Sequence, residues 1–246
     1  MSANAIPTPL RLNRTTGRTS SFLASSIGRK VVMALTGLVL FGYVVVHMLG
    51  NLQIYLGPAA LNAYAVKLRA MPALLWGVRV LLLASAVLHV WAAVSLTRAN
   101  VAARGIGYRE RRSRESTYAS RTMRWSGVIL LLFIVYHLLH LTLGTVHPGF
   151  VPGDVYHNVV RGFQMGIAPF FYVLAMLALG LHMYHGVWSL MQTVGLSHPR
   201  YDRLRYAFAA FITALVVLGN LSFPIAVMTG LLKDRSSSRA ATAARR

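Results

Sequence analysis

Five long, mainly apolar runs dominate the chain, at about 31–49, 73–96, 125–143, 167–191 and 207–232, and the charged residues gather between them. A helix rises about 1.5 Å per residue, so crossing a hydrocarbon layer about 30 Å thick takes about 20 mainly apolar residues. Each run therefore predicts one transmembrane α-helix. The expected architecture is an all-α polytopic membrane protein, with a basic cytoplasmic segment at 1–30, one five-helix domain at 31–232 and a disordered tail at 233–246. Too little chain remains for a soluble catalytic module, so chemistry outside the bilayer falls to partner subunits.

Composition agrees, with 56% hydrophobic and 12% charged residues, outside the range of a soluble domain. The formal net charge of +20 would suit nucleic acid if it were spread over one surface, but it sorts by side of the membrane instead. Arg11, Arg14, Arg18, Arg29, Lys30, Arg98, Arg104, Arg109, Arg111, Arg112, Arg114, Arg121, Arg124, Arg200, Arg203 and Arg205 precede the first span or fall between spans two and three or four and five. The opposite segments carry Lys67, Arg69, Arg161 and the basic residues of the tail. Short Lys- and Arg-rich loops stay inside. The N-terminus is thus expected in the cytoplasm and the C-terminus outside the cytoplasmic membrane, with no nucleic-acid partner. Residues 1–30 lack a short apolar stretch ending in a cleavage site, so the first span is expected to stay in the mature protein. Cysteine is absent, which excludes covalent haem attachment, a cluster bound by this chain and any disulfide.

Histidine is the one ionisable residue placed repeatedly inside the apolar runs. His47, His89, His137 and His182 lie on four different spans, and the fifth has none. A lone intramembrane histidine ordinarily hydrogen-bonds between helices, but four on separate helices suggest paired ligands. Orientation turns position into depth. His47 on the outward first span and His137 on the outward third lie toward the outside, and His89 and His182 on the inward spans lie toward the cytoplasm. Two stacked haems of the b type would use all four, inside a four-helix bundle with a fifth helix beside it. With histidine on both faces of each iron, electron transfer is the favoured use. His140 and His185 each follow a candidate by three residues, near the same helix face; either could be the ligand, or could meet a propionate or quinone oxygen. His147, His157 and His198 fall in loops, where plain solvation suffices. Gly37, Gly42, Gly50, Ala84, Ala86, Gly180 and Gly186 would admit a flat macrocycle, although close helix packing uses the same residues.

These stretches resemble the single-chain, five-helix, two-haem cytochrome b subunit of succinate dehydrogenases and fumarate reductases. The likeness rests on Thr36-Gly37 followed by His47 in VVVHMLGN, His89 in ASAVLHVWAAVSL, Gly127 ten residues before His137, and His182 in LHMYHGVWSLMQTVG followed by LSHPRY. It implies His47 and His137 as axial ligands of the distal haem and His89 and His182 as those of the proximal haem, in preference to His140 and His185. It also implies an iron–sulfur subunit, a flavoprotein carrying FAD and the dicarboxylate site, and a quinone, menaquinone in particular, as membrane partner. Electrons would run from succinate to quinone, or the reverse for fumarate reduction; the whole complex could form a higher oligomer.

No acid stands in 51–72 for quinone-linked proton transfer, so the likeness assigns none there. Arg79, about two turns into the second span, is a candidate propionate or quinone contact, with snorkelling to the surface the ordinary alternative. Ser25, Ser26 and Arg29 are candidates for an inner quinone or propionate contact, or a plain helix cap. The loop 98–124 is expected to meet the iron–sulfur subunit, or anionic lipid. Two rival functions stand against electron transfer. The H-x-x-H pairs at 137–140 and 182–185 could build a non-haem metalloenzyme, but such sites usually add carboxylates and the only acids are Glu110, Glu115, Asp154, Asp202 and Asp234, outside the spans. A haem-free anchor or proton relay would want intramembrane acids too.

Overall fold

The computed structural model describes residues 22–103, 118–164, 166–196 and 198–234. The basic loop from 104 to 117, most of the N-terminal basic segment and the tail beyond 234 lie outside the described residues. Among these residues seven α-helices form: α1 Ser26–Asn51, α2 Pro58–Arg69, α3 Pro72–Ala102, α4 Tyr118–His137, α5 Val155–Gln164, α6 Ala168–Thr193 and α7 Asp202–Met228. Five stretches are long and apolar enough to cross a membrane, Ser26–Leu56, Pro72–Ala102, Arg121–Thr142, Ala168–Thr193 and Pro199–Met228. The chain is an all-α, multi-pass membrane protein.

Local chemistry sets the helix starts. Ser25 caps α1, its Oγ accepting from Gly28 N–H at 2.9 Å, a contact worth about 1 kcal/mol. Proline opens α2, α3 and α6, where the missing N–H would have had no partner anyway. Large apolar side chains such as Leu83, Leu132 and Leu218 point outward and are exposed, as hydrocarbon surroundings permit. Small or polar residues face inward instead, among them Ser85 and Ala92 on α3, letting helices approach closely.

The spans form two hairpins, α1 against α3 and α4 against α6, joined through α1 and α6, with α7 laid against α6 and α1. Met48, Met183 and Val216 seal the joint of α1, α6 and α7. At one end the two short helices close the bundle. Leu61 of α2, Tyr156, Val160 and Phe163 of α5, Tyr172 of α6 and Phe223 of α7 share the largest core. Asn62 ties this cap together: its amide donates to Asp154 Oδ1 at 2.9 Å and its carbonyl oxygen accepts from Tyr156 N–H at 3.0 Å. We call this the capped end.

Three features depart from the sequence reading. The helices α2 and α5, of 12 and 10 residues, are too short to stand out among apolar runs of span length. The fourth helix widens into a π-helical turn at Leu138–Thr142, where Leu143 N–H reaches back to the Leu138 carbonyl at 2.9 Å; such turns gather at functional sites. Solvation does not explain two of the three loop histidines. His147 is 5% exposed, covered by α5, and His157 lies within α5 with Nδ1 2.6 Å from Asp234. Only His198 fits the expectation of an exposed turn, where its ring caps Arg200 N–H.

Candidate functional site

The four span histidines meet in two pairs across the bundle. His89 on α3 and His182 on α6 have ring centroids 6.2 Å apart. Each is held through Nδ1 by a hydroxyl from a neighbouring helix. Thr36 Oγ1 of α1 lies 3.2 Å from His89 Nδ1 and Ser126 Oγ of α4 lies 3.3 Å from His182 Nδ1. A hydroxyl has one proton, and here it is directed at a carbonyl of the preceding turn: Thr36 donates to Val32 at 2.7 Å and Ser126 to Met123 at 3.0 Å. A hydroxyl that gives its one proton to that carbonyl accepts from the ring, and in that arrangement the imidazole carries its proton on Nδ1 and keeps the Nε2 lone pair available. Both rings then have an Nε2 lone pair to give. They can share a Lewis acid.

His47 on α1 and His137 on α4 form the second pair, nearer the capped end, with centroids 5.9 Å apart. His137 Nδ1 is 3.2 Å from the Tyr172 hydroxyl. His47 differs, because its Nε2 faces the Asn51 amide at 3.2 Å; a metal taking that nitrogen would displace the amide. A metal–imidazole bond of about 2 Å on each side, plus the ring radius, sets trans ring centroids roughly 6 Å apart. Both pairs meet that spacing. Because Thr36 marks the level of His89 and stands eleven residues before His47 on the same helix face, the pairs are separated by three turns, roughly 16 Å along the axis. We call His89 and His182 the far pair.

The other candidates are placed as follows. His140 is 2% exposed and shares the Tyr172 hydroxyl at 3.1 Å. His185 packs against Trp188, ring centroids 5.3 Å apart, and its buried Nδ1 has no partner. Arg79 is exposed, its guanidinium 4.9 Å over the Trp76 ring, as a snorkelling arginine with an interfacial aromatic would be. Arg29 donates from Nη1 to the Ser95 carbonyl at 3.3 Å, bridging α1 and α3, and Ser26 is exposed beside the Ser25 cap. Among the described residues no group of three or more His, Cys, Asp or Glu could hold a metal ion, so the H-x-x-H segments gain no third ligand.

A family model described as the succinate dehydrogenase/fumarate reductase transmembrane subunit matches residues 96–219. The chain belongs to that family. It is the membrane anchor subunit of an oxidoreductase complex and associates with the catalytic subunits of that complex. No curated protein and no solved structure matches it.

The matched part of the anchor subunit holds His137 and His182, while His47 and His89 precede it. An internal recurrence extends the pattern to that first half. Thr36-Gly37 stands nine residues clear of His47, and Ser126-Gly127 stands nine residues clear of His137. In each hairpin the hydroxyl and the glycine receive the histidine of the following span: an added Cβ at Gly37 would lie 3.2 Å from His89 Cε1, and one at Gly127 3.7 Å from His182 Cε1. Sequence reading noted the glycines but missed Ser126 as a partner, along with Tyr172 and Asn51; aligning the two halves would have exposed Ser126. Partners of this kind typically change metal affinity 10–100-fold when lost. Thr36→Val combined with Ser126→Ala is expected to weaken the affinity of the far pair for an added metal group at least tenfold and leave that of the capped-end pair unchanged, measured by titration of the purified complex.

Proposed function

We propose that this anchor subunit is a di-haem cytochrome b that relays electrons between the iron–sulfur subunit and membrane quinone. His89 and His182 would hold the proximal haem, and His47 and His137 the distal one. What carries the reading is the far pair itself, two imidazoles from facing hairpins with ring centroids 6.2 Å apart and each Nδ1 against a hydroxyl, which suits Nε2 to one iron between them. Haem b held by His89 with His182 and by His47 with His137 would supply reversible one-electron chemistry. The residues of the chain do the rest: Thr36 and Ser126 hold the far rings in tautomer and angle, Gly37 and Gly127 let those rings close on the neighbouring helices, and α2 with α5 covers the capped end.

Family membership supports quinone as the membrane partner, and the resemblance favours menaquinone. The charge asymmetry supports a cytoplasmic N-terminus, with the far pair toward the cytoplasm and the capped end outside. FAD, iron–sulfur clusters and the dicarboxylate site then belong to partner subunits, and succinate oxidation and fumarate reduction use one path in opposite directions. Pyridine haemochrome assay and redox-titrated absorbance of the purified complex are expected to give two b-type haems per chain. A complex free of porphyrin overturns this reading.

A further inference from the structure

The capped end holds a second set of buried rings beyond the four paired imidazoles. The Tyr172 hydroxyl lies 3.2 Å from His137 Nδ1 and 3.1 Å from His140 Nδ1. His140 stacks on His147 with centroids 4.8 Å apart, and His147 Nε2 is 2.8 Å from the Asn158 carbonyl. A carbonyl only accepts, so His147 carries its proton on Nε2. The direction of the other bonds follows from the role of His137. With Nε2 of His137 given to iron, its proton sits on Nδ1 and is donated to the phenol oxygen. The single proton of the phenol is then donated to His140 Nδ1.

We propose that Tyr172 is a positioning residue for the capped-end haem, its hydroxyl accepting from His137 and donating to His140, so that His140 tunes the iron through two hydrogen bonds. This rests on the di-haem reading above. The contrast with the far pair gives the inference its content. Thr36 and Ser126 pass their protons to carbonyls of their own helices, whereas Tyr172 passes its proton to a second imidazole fixed by the cap. Chained hydrogen bonds polarise one another, so the phenol oxygen becomes a stronger acceptor and His137 a more basic ligand. A more basic imidazole favours ferric over ferrous iron.

Redox-titrated absorbance of the purified complex tests this, with the capped-end signal identified by its loss in His47→Ala. In Tyr172→Phe the capped-end haem is expected to reduce more easily, its ferrous-to-ferric ratio at fixed potential rising about tenfold, which is about 59 mV for one electron. The far haem should not move. His140→Leu keeps the phenol but removes the acceptor of its proton, and a shift of the same sign is expected. If Tyr172→Phe loses the capped-end haem altogether, His140→Leu decides: a raised potential supports the proposal and an unmoved one overturns it. A retained haem at unchanged potential in Tyr172→Phe also overturns it, since a merely structural tyrosine would alter haem content without altering the potential of what remains. Absence of porphyrin from the unaltered complex would instead overturn the di-haem reading itself.

Discussion

His182→Ala or His89→Ala is expected to abolish the proximal haem signal while leaving most of the distal one, and His47→Ala or His137→Ala to do the converse. On the di-haem reading each haem would depend on two imidazoles from spans on opposite sides of the bundle, so removing one would leave its partner ring facing an open position. Changes one shell further out already cost 10–100-fold in metal affinity, and loss of an axial ligand should exceed that. The cross-effect should be small because the pairs stand about three turns apart and are held by different side chains: Thr36 and Ser126 for one, Tyr172 for the other. Low-temperature reduced-minus-oxidised spectra of membranes carrying each variant provide the measurement. Equal loss of both signals from all four variants would break the assigned pairing, and unchanged spectra would remove the histidines from the site.

The second large effect is expected at Gly162, a residue of α5 in no pair. A Cβ there would lie 2.8 Å from His140 Cε1 and 2.9 Å from His147 Nε2. Neither ring is free to retreat, since His140 is bound to Tyr172 and His147 to the Asn158 carbonyl. Overpacking of this kind costs about 1–3 kcal/mol, and here relief requires parting the cap from the π-helical turn. Gly162→Val is expected to lower distal haem content several-fold and the melting temperature of the complex, with proximal haem retained. Gly77→Ala is the matched control, because a side chain there would meet nothing within 4 Å. Equal behaviour of the two variants would show that the cap does not support the capped-end pair.

Much of the fold was legible because a membrane makes span length and apolarity nearly sufficient. All five expected runs lie largely within the five candidate spans, though α7 begins at Asp202 and α3 extends to Ala102, where polar residues hide helix ends from a hydropathy reading. The cap was not legible: α2 and α5 are short and partly polar, and their helical form is fixed by packing on Ile54, Tyr172 and Phe223. His147 was misread for the same reason, since a loop in sequence became a buried site once α5 folded over it.

By itself the sequence determined that the chain crosses a membrane several times and that imidazoles lie inside four different spans, because hydrocarbon admits long apolar helices and tolerates few ionisable groups. Tertiary structure alone decided which rings stand together, which nitrogen of His89 and His182 faces a hydroxyl, and that Tyr172 joins His137 to His140. Those features depend on distances between helices far apart in the chain, and no local pattern of residues encodes a distance.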